Sequence, residues 1–73
     1  MPGLENLSAD DYDLVARYLQ RRHSLVNRSQ LARKLAASIG ARMGLPPQDL
    51  SLVDAEHFLS QVAAAYRSRA RSQ

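Results

Sequence analysis

Ser29-Gln30-Leu31-Ala32-Arg33-Lys34-Leu35-Ala36-Ala37-Ser38-Ile39-Gly40-Ala41-Arg42-Met43-Gly44 is the stretch that decides the fold. Leu31, Leu35, Ile39 and Met43 recur four apart, the spacing of one helix face. Ala32, Ala36, Gly40 and Gly44 form a parallel row of small residues, which lets a neighbouring helix approach closely. Packing inside the chain accounts for that row better than a dimer face does. Asn27 and Ser29 are competent caps at the start. Gly44 suits the stop, because Pro46 and Pro47 cannot continue a helix. The pattern predicts a helix over about 29–43.

Working outward, Ser8 precedes Ala9-Asp10-Asp11 at a spacing that resembles a capping box, with Asp in place of Glu or Gln. Tyr12, Val15, Ala16 and Leu19 follow at helical spacing, and Leu14 and Tyr18 widen the stripe. Asp10, Asp11 and Asp13 sit where the helix dipole favours negative charge, and Arg21 and Arg22 where it favours positive charge. This predicts a helix over about 9–23. On the other side, Ala55, Phe58, Leu59, Val62 and Tyr66 form a third stripe, with Ser51 or Asp54 as cap. It predicts a helix over about 52–69, after a linker stiffened by the two prolines.

The expected fold is all-α, an up-down-up three-helix bundle over 8–69. Residues 1–7 are expected to be a flexible N-terminal segment and 70–73 a flexible basic tail. The expected core is Tyr12, Val15, Leu19, Leu31, Leu35, Ile39, Phe58, Leu59, Val62 and Tyr66. Short connections make consecutive helices antiparallel.

Composition limits what such a chain can do. Seventy-three residues make one small domain, and a 45% apolar content suffices to fold it. The absence of Cys excludes a disulfide scaffold and a thiolate metal site. It also fits a reducing, cytoplasmic compartment. The longest apolar run, Val62 to Tyr66, is far too short to span a bilayer.

No catalytic, cofactor-binding or metal-binding residues are assigned, and the chain is not expected to be an enzyme or to take a small-molecule substrate. His57 could pair with Asp54, but no third ligand is spaced to join them, and a solvated helix-face His is the better reading. His23 suits a carbonyl cap at the end of the first helix. No Ser stands in a nucleophile-elbow context, and Gly40 and Gly44 do not make a phosphate loop. Ser29 to Ala36 has the look of the first helix of a helix-turn-helix. Periodicity continuing through Ile39 and Met43 leaves no room for a recognition helix.

Charge gives two candidate surfaces. Antiparallel packing is expected to gather Arg21, Arg22, Arg28, Arg67 and Arg69, with Arg71, at one pole, Arg33 and Lys34 lying one turn further along, and Asp10, Asp11, Asp13, Asp49, Asp54 and Glu56 at the other. A cationic pole would dock an acidic protein partner, nucleic acid or an anionic membrane surface. Leu14 and Tyr18, at the edge of the core, are the candidate apolar patch for a protein partner or for self-association.

Three blocks together resemble the C-terminal cytosolic tail of bacterial membrane proteins of the RDD family, and of those related to stage II sporulation protein M. They are Asp11 to Arg22, then Leu31 to Ala36 with Gly44-Leu45-Pro46, then His57 to Arg67. The resemblance implies a helical accessory domain tethered to the inner face of a membrane. The membrane helices that define those proteins have no counterpart in these residues, so no transport role carries over.

Overall fold

The computed structural model describes residues 3–46 and 49–71. It shows the expected all-α three-helix bundle: α1 over Ala9–Arg21, α2 over Arg28–Arg42 and α3 over Leu52–Arg71. Short 3-10 turns over Leu4–Asn6 and Arg22–Ser24 precede and follow α1. Pro47 and Gln48, central to the stiff linker, lie outside the described residues, as do Ser72 and Gln73 of the expected tail.

The helix ends follow from local chemistry. The Ser8 hydroxyl accepts from the Asp11 backbone N–H at 3.2 Å, and the Asp11 carboxylate accepts from the Ser8 N–H at 3.0 Å. Both halves of the capping box are therefore made, with the shorter Asp reaching as well as a Glu would. At the far end of α2, Gly44 takes φ +81°. Its N–H reaches the Ala41 carbonyl while the Leu45 N–H reaches Gly40, a Schellman stop that only a residue tolerant of positive φ completes easily.

Side-chain pairs give each helix its direction. Asp11 meets Arg42, and Tyr18 lies by Arg28, so α2 runs against α1. Tyr12 stacks on Tyr66 with ring centroids 4.9 Å apart, and Tyr18 meets Glu56, so α3 also runs against α1. The second and third helices thus point the same general way, and α3 departs from the strict alternation expected of it. The nine residues 43–51 are enough to allow this: fully extended, at ~3.3 Å per residue, a segment of that length could reach about 30 Å. That exceeds the ~22 Å length of α2.

The core is made of Leu4, Leu7, Val15, Tyr18, Ala32, Ala36, Ile39, Met43, Ala55, Leu59, Val62 and Ala63. The most extensive packing is between α2 and α3, where Ala32, Ala36 and Gly40 are buried. Three of the four small residues in the row are thus buried inside the chain, while Gly44 is exposed at the helix stop. Two expectations need correction. Residues 3–7 are not a loose lead-in, because Leu4 and Leu7 are core residues and Gly3 (φ +88°) presses against Met43 so closely that a Cβ would collide with its carbonyl. Leu31 is not core but 36% exposed, because its side of α2 faces a gap rather than a helix.

Candidate interaction surface

The direction of α3 dissolves the expected cationic pole. Arg67, Arg69 and Arg71 leave with the C-terminal end of α3, which lies by the N-terminal end of α1. Arg69 faces Glu5 there at 3.8 Å. Arg21, Arg22 and Arg28 stay at the other end, so the five candidate arginines do not form one surface. The acidic pole fails for the same reason, since Asp11 is buried against Arg42 at 2.9 Å and Glu56 is drawn to the Arg28 end.

Arg28 is engaged rather than free. Its Nε and Nη2 donate to the two oxygens of Glu56 at 2.8 and 2.9 Å, a bidentate fork. The Tyr18 hydroxyl donates to the same carboxylate at 2.6 Å. One residue from each helix meets in this cluster, which locks α1, α2 and α3 together. The electrostatics agree with the geometry. The Arg28 hydrogen bonds, with help from Tyr18 and Arg22 and against the pull of burial, hold the Glu56 carboxyl down to about 2. Burial first, then the adjacent carboxylate, push the Tyr18 phenol up to about 12. Bonding to Glu56 raises Arg28 above its ordinary value. At neutral pH the cluster is a satisfied ion pair with a neutral Tyr, chemistry suited to fixing a fold and not to moving a proton.

Asp11 is held below the usual carboxylate range, chiefly by the Ser8 backbone N–H and further by Arg42, against the opposing effect of burial. It too serves to tie helices, here α1 to α2.

An open surface lies between α1 and α2, the least packed helix pair. A groove of about 420 Å³ runs between them. Leu14, Tyr18, Leu25, Leu31 and Leu35 supply its apolar lining. Arg17, Arg21 and Lys34 stand along its sides, and Ser38 completes the wall. All three cations are exposed, and no carboxylate lines the groove. Leu14 is 53% exposed. A chain that buries most of its large apolar residues thus leaves two leucines open in one trough with positive edges.

Part of this surface was expected. Leu14 is exposed as the sequence suggested. Tyr18 is not an edge residue: it is buried, with its hydroxyl in the ion-pair cluster, and only its ring contributes to the groove. Leu31, Leu35, Arg17 and Lys34 were not singled out for it. The signal was present in the double apolar row of α2, which offers more apolar face than one neighbour can cover. His57 is exposed and 3.1 Å from Gln61, and His23 is exposed in the turn after α1. Among the described residues no three His, Asp or Glu gather as metal ligands, and no helix is long and apolar enough to cross a membrane. No protein family matches the chain, and no curated protein or solved structure matches it either.

Proposed function

We propose that this is a non-catalytic protein-interaction domain, and that its working surface is the groove between α1 and α2, filled by a helix of a protein partner. The observation that carries the reading is the open pair Leu14 and Leu31 in one cation-edged trough. Exposed apolar surface costs stability in water unless something covers it. A trough walled by two helices takes a third helix by the same ridge-and-groove packing that builds bundles. The resemblance to cytosolic tails of RDD-family membrane proteins is compatible with the same reading.

Nucleic acid is the alternative, and it is less well supported. Arg17, Arg21 and Lys34 could supply phosphate contacts, but Arg28 and Arg69 of the expected pole are paired and lie at opposite ends, and phosphate binding gives the leucine lining between the three cations no role. The test uses an anilinonaphthalene sulfonate dye, which brightens in apolar grooves. We expect enhancement with the native chain and its loss in Leu14→Ser/Leu31→Ser, with helicity by circular dichroism unchanged. Enhancement that ignores those two leucines would sink the reading. Duplex DNA binding that falls steeply with salt and survives the double substitution would replace it with the alternative.

A further inference from the structure

We infer that the partner helix is acid-flanked: a short amphipathic segment with a narrow apolar ridge and carboxylates on both sides of it. This rests on the groove being a docking site, and adds the chemistry of what docks there. The groove walls decide the charge. Arg17 and Arg21 stand one helical turn apart on α1, and Lys34 stands across from them on α2. The three cations are exposed and no carboxylate lines the groove. A guest with neutral or basic flanks would place uncompensated or like charges along both edges. A guest with two carboxylates four residues apart on the α1 side and one on the α2 side would match every cation.

The groove walls also decide the length. Leu14 to Arg21 and Leu31 to Ser38 each cover eight positions, about 10 Å of helix from first to last. That is room for apolar anchors at i, i+3 or i+4, and i+7 of the guest, the usual reading frame of a helix in a groove.

A second copy of this chain is a poor occupant. An isologous pair would set trough against trough, leaving the hollow unfilled and bringing Arg17, Arg21 and Lys34 near their own copies. Outside the groove, the exposed large apolar residues among those described are Val26 in the turn before α2, Leu45 just after α2 and Val53 in the first turn of α3. They do not make a ridge that could enter it.

The experiment uses the full chain and two stapled synthetic helices of about 16 residues, long enough to hold helical form once stapled. Both carry Leu at i, i+3, i+4 and i+7. One has Glu flanks and the other Lys flanks. The Glu-flanked helix should bind about tenfold tighter or better, the sum of three edge pairs of modest strength. Its advantage should shrink as salt rises from about 50 to 500 mM. Amide and methyl shifts should move at Leu14, Leu31 and Leu35. In the variant Arg17→Glu/Arg21→Glu/Lys34→Glu the preference should reverse toward the Lys-flanked helix, a readout that a folding defect would not produce. Equal binding of the two helices, with shifts at the same leucines, would overturn the acidic flank while leaving the docking groove in place. Binding of neither helix would overturn both. Sedimentation as a dimer whose contact includes Leu14 and Leu31 would overturn the partner helix in favour of self-association.

Discussion

Leu31 and Leu35 on one side of α2, and Ala32 and Ala36 on the other, are one residue apart in sequence and meet different fates. The alanines are buried, Ala32 completely and Ala36 nearly so, on a helix whose most extensive packing is against α3. The leucines line the open groove toward α1. Small side chains let two helix backbones close on each other and exclude water. Large ones cannot be covered that way unless the facing helix comes close, and here Tyr18 stands between. Its ring is part of the groove wall while its hydroxyl is committed to Glu56 on α3. The apolar amount of a helix face therefore says less about its burial than the size of the residues and what the opposing helix is tied to.

Four experiments test that contrast. The largest effect should come from filling the closed side. Ala36→Leu has no room and should cost about 2–3 kcal/mol in urea denaturation. A loss below about 0.5 kcal/mol would mean that α3 does not sit close.

Next comes the Arg28–Glu56 ion pair, which joins α2 to α3 and whose carboxylate accepts from the Tyr18 hydroxyl of α1. Glu56→Gln should cost about 2 kcal/mol near neutral pH, less than for a fully buried pair because Arg28 keeps partial access to water. The pH dependence follows from the sign of the shift. Glu56 has its carboxyl lowered to about 2 from an ordinary 4.5, so its contribution is present above 4.5 and fades as pH falls toward 2. Acid unfolding of Glu56→Gln should be shallower over that window. Asp11, also lowered, leaves some slope behind.

Ser8→Ala should cost about 1 kcal/mol by thermal melting, the usual worth of an N-cap. Because α1 forms one wall of the groove, amide exchange should quicken most in its first turn. The smallest effect belongs to the open side. Leu31→Ser should change stability by no more than about 0.5 kcal/mol while abolishing dye binding. A loss of several kcal/mol would place Leu31 in the core after all, and the contrast between the two sides of α2 would be gone.

How much of this could be read beforehand depends on how far apart the interacting residues lie. Ser8 with Asp11, Ala41 with Gly44, and Gly40 with Leu45 are contacts within about one turn, and residue type announces them. The exposure of Leu14 was legible because it falls beside the α1 stripe. The Arg28–Glu56 fork joins residues on separate helices, and it depends on the direction of α3, which no local pattern carries. The same direction moved Arg67 and Arg69 away from Arg21 and Arg22. Leu4 and Leu7 were missed because a three-residue turn has no periodicity to detect, although both are apolar and only three apart.

The packing of Leu4 and Glu5 beside Tyr66, Arg69 and Ala70 brings the two ends of the described chain side by side. A short flexible bridge could therefore close the polypeptide into a ring, and new ends could be opened in the connection between α2 and α3 without parting any of the buried pairs. In such a rearranged chain the second and third rods would no longer be sequence neighbours, so their association would have to be specified by the alanine seam and the Arg28–Glu56 fork alone.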